Sequence, residues 1–156
     1  MSPPDPDDLP DAPVGGGEMQ VLRPLTTEFI AETLQAREYR FQTDPDGDLV
    51  GRWNDNVIYF SRLGPHGEVL RVRTIAATAF SVDDVPALYA FCNEWNHDRL
   101  WPKTFVHVDD DGTARVCGEL ITDLERGVTP AQLDHLVSCG ISTGCQVAEA
   151  AAELAT

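Results

Sequence analysis

From Leu22 onward hydrophobic residues recur at two periods, and the changes of period mark the elements. Leu25, Phe29, Ile30, Thr33 and Leu34 share one side of a helix. Thr26 or Thr27 can accept the free amide hydrogens of its first turn, and Glu28 suits the positive end of the helix dipole. This first helix is expected to reach about Arg37. Short aromatic and branched stretches then replace the helical spacing in YRFQT and LVGRW, which read as two strands joined through Asp44-Pro45-Asp46-Gly47-Asp48. NVIYFSRL follows the turn Asn54-Asp55-Asn56, and EVLRVRTIAATAF follows Gly64-Pro65-His66-Gly67, giving a meander of four antiparallel strands.

A second helix is expected from Ser81, whose hydroxyl can cap while Asp84 stands three residues on. Its apolar stripe is Val85, Leu88, Tyr89, Cys92 and Trp95, and it should end between Asn96 and Arg99. TFVHV and TARVCGEL, with Asp109 to Gly112 between them, form a second hairpin whose acidic tip keeps a sheet edge soluble. Thr129-Pro130 opens a last helix running towards Leu154. Helix, four strands, helix, two strands, helix is not strict βαβ alternation. It predicts an α+β fold, an antiparallel sheet with helices on one face.

The stretch TDPDGDLVGRWND poses a calcium question, because Asp44, Asp46, Asp48 and Asp55 match acidic positions of an EF-hand loop. Such a loop needs glycine at its sixth position and helices on both sides. Here the sixth position is Leu49 and both flanks read as extended, so Pro-Asp-Gly is assigned to hairpin chemistry.

Composition narrows the function. The chain has 156 residues and a net charge of −15, a length that suits one core. Residues 1–20 hold Asp5, Asp7, Asp8, Asp11 and Glu18 and no Lys or Arg. They are expected to be a disordered tail before a single domain over residues 21–156, since Pro, Asp and Gly bury too little apolar surface to offset backbone ordering. With no basic cluster, nucleic acid is not expected as a partner. No apolar run is long enough to span a membrane and the start lacks a signal pattern, so a cytoplasmic location is expected. Cys92, Cys117, Cys139 and Cys145 lack metal-ligand spacing and read as small buried hydrophobes.

Catalytic signatures are missing from the pattern. There is no GxSxG, and Ser138-Cys139-Gly140 falls inside the last expected helix. VGGGE at Val14 to Glu18 precedes no Lys-Ser/Thr pair, and His66, His97, His107 and His135 show no paired ligand spacing. Neither a cofactor nor a metal is expected.

Two surface features stand out. Arg40, Arg52, Arg62, Arg71, Arg73 and Arg115 fall in expected strands. They are either the polar alternates of a half-buried sheet or an arginine-lined face that grips an acidic segment, of a partner or of the chain's own tail. Gly140 and Gly144, one turn apart with Ala148, Ala151 and Ala152 beyond, ask for close backbone approach, because each costs about 1 kcal/mol relative to alanine in a helix. The approach is either to the chain's own sheet or to a helix across a dimer. Trp95 continues an apolar stripe and is expected in the core, whereas Trp101 either packs beneath its loop or presents an aromatic surface. Asn93 and Asn96 are expected to end the second helix by capping and by bonding loop backbone.

CNEWNHDRLWPKTFVHVDDDG, ARVCGELI and GVTPAQL together resemble the actinobacterial branch of the YbjN family. The residues that carry the likeness are Asn93 and Asn96; Arg99, Trp101, Pro102 and Lys103; Asp109 to Gly112; and Gly127, Val128 and Thr129. DPDGDLVGRWNDNVIYF matches the family's first hairpins. The resemblance covers roughly Leu22 to Leu154 and implies a fold similar to type III secretion chaperones, in which subunits commonly pair. It also implies a regulatory role in sensory transduction and carries no catalytic residues. The reading is a non-enzymatic protein-binding module acting as a homodimer, with Arg71, Arg73, Arg52, Arg115 and Trp101 as candidate contacts to a partner protein. The alternatives are a small-molecule-responsive regulator with a pocket between sheet and helices, and a hydrolase whose site assembles only in three dimensions.

Overall fold

The computed structural model describes residues 21–155; the expected tail over residues 1–20 lies outside them. Helix α1 spans Thr27–Ala36, and the Phe29 amide donates to the Thr26 hydroxyl at 3.0 Å, which caps it. Its stripe of Phe29, Ile30, Thr33 and Leu34 is buried, and Leu25 joins them just before the helix.

Strands β1 (Gln42–Thr43) and β2 (Leu49–Trp53) pair antiparallel across the aspartate-rich turn. One oxygen of Asp44 accepts the amides of Asp46 and Asp48, both at 2.9 Å, and Gly47 takes a φ of +88°. The stretch that posed the calcium question is thus a hairpin with Asp44 committed to its own turn. Strand β3 (Asn56–Leu63) follows Asn54 and Asp55, whose φ values of 53° and 67° make the tight two-residue connection that suits strand twist.

Strand β4 covers only Val69–Ile75, shorter than the alternation implied. The Ala76 amide still donates to the Val116 carbonyl, but side chains take the other groups: Arg115 donates to the carbonyls of Ala76 and Ala77, and the Ala77 amide donates to Asn56. Phe80–Ser81 then form a separate strand, β5. Ser81 and Asp84 complete the capping box, but on a 3-10 turn, and helix α2 runs from Val85 to Asp98. Leu88, Cys92 and Trp95 face inward as expected, whereas Tyr89 is 55% exposed. Tyr89 lies about 100° round the helix from Leu88, outside the narrow stripe of Leu88, Cys92 and Trp95 that α2 buries.

Strands β6 (Lys103–Val108) and β7 (Thr113–Asp123) form the second hairpin, and helix α3 (Pro130–Ala152) is capped by Thr129 with Gln132 completing the box. All seven strands join one antiparallel sheet, ordered β1-β2-β3-β4-β7. Strand β7 lies between β4 and β5 on one edge and β6 on the other, since Cys117 pairs with both Ile75 and Phe105, and Ala114 with both Phe80 and Val108.

All three helices pack on one face of this sheet. Leu49, Ile58, Phe60, Leu70, Val72 and Leu120 meet α1 and α3, while Ala114, Val116 and Val147 meet α2. Burial of each large aliphatic side chain contributes on the order of 1.5–3 kcal/mol. The two apolar clusters of the core therefore lie between helices and sheet.

Candidate functional site

Alternation places every second strand residue on the other face, which none of the described helices covers. Strand pairing sets these residues in rows. Arg52, Val57, Ile75, Cys117 and Phe105 form one row; Val50, Tyr59, Arg73, Glu119 and Lys103 form the next; Ser61, Arg71 and Ile121 form the third. Arg115, opposite His107, extends the same face. Arg71, Arg73, Arg52 and Arg115, named from sequence, thus share one surface. Arg62 has the opposite parity and donates to the carbonyls of His66 and Gly67 in its own turn, and Arg40 precedes β1.

At the centre of this face lies Glu119, only 7% exposed. Arg73 donates to one of its oxygens through Nη2 at 2.6 Å and Nε at 2.9 Å, and the Arg71 Nε stands 3.8 Å from the same oxygen. The Arg73 guanidinium also lies 5.4 Å from the centre of the Phe105 ring. Two guanidiniums around one carboxylate leave an excess positive charge, and the buried Arg71 Nε has no hydrogen-bond partner. Beside them, burial pushes the Cys117 thiol up to about 12, so it stays protonated at neutral pH. Burial also raises Cys92 and Cys145. These thiols are poor nucleophiles, because reactivity requires the thiolate.

Two adjoining clefts of about 560 and 400 Å³ on this face share Arg52, Val57 and Tyr59 as walls. Exposed Arg52 and Lys103 have no ion pair among the described residues. The surface combines apolar rows with uncompensated cations, a composition that suits a partner bearing carboxylates and apolar side chains. Glu119, Tyr59 and Phe105 were missed by sequence reasoning. Their only signal was alternation, and their convergence depends on register.

The residues of the family motif do different work. Asn96 accepts the Thr104 amide at 2.8 Å and donates to the Thr104 carbonyl at 3.0 Å, tying the end of α2 to β6. Arg99 stacks 4.1 Å from the centre of the Trp95 ring, and Trp95 is buried. Pro102 is buried beside Gly118, where an added Cβ would stand 2.8 Å from its ring. Asn93 and Lys103 are exposed, and Trp101 is 44% exposed beside the more open Leu100. The close approach demanded by Gly140 and Gly144 is to the chain's own sheet, since added Cβ atoms would collide with Val72 and Thr74. That stripe is filled from within, and a helix across a dimer cannot occupy it.

Among the described residues no group of three or more His, Cys, Asp or Glu could hold a metal, and no helix is long and apolar enough to cross a membrane. A family model described as "Putative bacterial sensory transduction regulator", YbjN, matches residues 26–153. Among solved structures, YbjN from E. coli, described as "a putative transcription regulator", aligns with a TM-score of 0.72 at 17% identity, over 86% of this chain and 96% of that one. A chain of the HopA1–SchA chaperone–effector complex aligns with a TM-score of 0.50 at 12% identity, over 78% and 91%. One from the ExoT–SpcS complex of Pseudomonas aeruginosa reaches 0.45 at 15% identity, over 73% and 89%. No curated protein matches the chain. The fold is therefore shared with a chain of a chaperone–effector complex as well as with E. coli YbjN, and the match over residues 26–153 shows that this chain belongs to the YbjN family.

Proposed function

We propose that this chain is a non-enzymatic protein-binding module, regulatory or chaperone-like, which takes a partner protein on the uncovered face of its sheet. The carrying observation is the cluster of Arg71, Arg73 and Glu119 set among apolar rows on that face, in a chain whose net charge is −15. Positive charge in an acidic protein steers acidic partners to one surface and repels them from the rest. The family's description as a sensory regulator and the fold shared with a chaperone–effector complex support the same reading. Under it the protein acts in the cytoplasm as a homodimer, with Trp101 as an additional partner contact and without nucleic acid, membrane or cofactor.

The test captures the tagged full-length protein from the cytosol of its source organism beside an Arg52→Glu variant. Arg52 is exposed and pairs with nothing described, so the variant should keep its circular dichroism spectrum and melting temperature. One near-stoichiometric protein partner, retained by the native chain and depleted at least tenfold by the variant, is expected. Equal capture by both, or none by either, overturns the assignment of this face.

A further inference from the structure

Five of the carboxylates that make the chain acidic lie in residues 1–20, which carry no Lys or Arg. Five of its eleven basic residues, Arg52, Arg71, Arg73, Lys103 and Arg115, lie on the uncovered sheet face. We propose that the N-terminal segment of this chain is an occupant of that face, and that a partner must displace it. The proposal rests on reading the face as a binding surface and adds how access to it is controlled.

Charge and connectivity carry the inference together. Arg52 and Lys103 have no ion pair among the described residues, and Arg71 and Arg73 share the single carboxylate of Glu119. The face can therefore accept several carboxylates without losing a pair it already has. Arg23 pairs with Val128, just past the Leu124–Gly127 turn that follows β7, so the segment joins the molecule near the Val69–Asp123 end of the sheet. Arg71 and Arg73 stand two and four residues in from Val69, roughly 7 and 13 Å at about 3.3 Å per residue. At about 3.3 Å per extended residue, Glu18 and Asp5 lie up to roughly 17 and 59 Å of chain from Arg23, enough to reach Arg71 and Arg73.

Tethering makes weak contacts sufficient. Covalent attachment to the same chain gives an effective concentration on the order of 1 mM, so an intrinsic dissociation constant of about 0.1 mM would keep the face roughly nine-tenths occupied and weaken a competitor about tenfold. Exposed ion pairs are screened by salt, so occupancy falls as ionic strength rises.

The probe is a fluorescent peptide of residues 1–20, followed by anisotropy on full-length protein. The comparison is between the native chain and a variant with Asp5, Asp7, Asp8 and Asp11 changed to Asn and Glu18→Gln. The peptide should bind the neutralised variant about tenfold more tightly than the native chain, because the native segment competes. Adding Arg52→Glu to the neutralised variant should remove most of that binding. A second control of equal net charge, with Glu28, Glu94, Glu125 and Glu149 changed to Gln and Asp110→Asn, should show no gain. Equal affinity for native and neutralised chains, indifference to Arg52→Glu, or the same gain in the charge control each overturns the proposal. Partner capture that still depends on Arg52 after such a result would remove only the N-terminal segment as occupant and leave the proposed function standing.

Discussion

Glu119 is held where an unpaired carboxylate would be costly, buried on the sheet face opposite the helices and paired with Arg71 and Arg73. Arg73 keeps that charge compensated with two hydrogen bonds to one oxygen. Arg73→Met should lower unfolding free energy by about 1–3 kcal/mol, the range for losing a charged hydrogen-bond partner, read from urea denaturation. Adding Glu119→Leu should recover most of the loss, since the cost comes from the stranded charge; a double variant no better than the single would contradict this account. Reversing both arginines would therefore confound partner binding with folding, which makes exposed Arg52 the cleaner probe. Gly144 poses the opposite constraint. Ala has the higher helix propensity by about 1 kcal/mol, yet Gly144→Ala should destabilise by about 1–3 kcal/mol because its Cβ meets Thr74. A melting temperature equal to or above the native value would refute the packing argument.

At the scale of elements, α1 and α3 are joined by more than apolar contact. Arg37, at the C-terminal end of α1, donates through Nε and Nη2 to both oxygens of Asp134 in α3, at 2.6 and 2.9 Å. The guanidinium holds the Asp134 carboxyl below its ordinary value of 3.8. A carboxyl whose folded value is depressed contributes stability above its unfolded value and loses it as pH falls through the folded one. Asp134→Asn should accordingly cost at most about 1 kcal/mol at pH 7, because the pair is partly exposed, and the gap should close below about pH 4. Urea midpoints at pH 7 and pH 3 measure it, and an equal gap at both values would remove the pair as its cause.

For the whole molecule, two surfaces of the described residues stand open: the arginine face, and the outer side of α2 with the 3-10 turn before it, where Tyr89 and Val82 are more than half exposed. Under the proposed function, self-association would use the second surface and leave the first to a partner. Sedimentation equilibrium should give twice the 17.1 kDa chain mass for the native protein. Tyr89→Glu should return it to a single chain mass with unchanged circular dichroism. A monomeric native protein, or a variant that stays dimeric, would remove this assignment.

The element order apart from β5, the caps at Thr26, Ser81 and Thr129, the hairpin at Asp44–Asp48 and the core side of α1 were legible in the sequence. Each follows from interactions within a few residues, where side-chain chemistry and period suffice. The motif around Asn96, Trp101 and Pro102 also identified the family from sequence, yet most of its visible work is to fasten α2 to β6. Strand lengths were less legible, because Ala76 and Ala77 keep strand-like spacing while Arg115 and Asn56, distant in sequence, take their backbone groups. The candidate site was visible only as a surplus of arginines in strands. Long-range register determined that four of them share a face with Glu119 and that Arg62 does not. Likewise, two glycines in α3 announced a close contact, but only the packing of α3 on β4 showed with what. Local rules decide which element a residue enters; its neighbours across the sheet come from strands scores of residues away, and no short-range pattern encodes them.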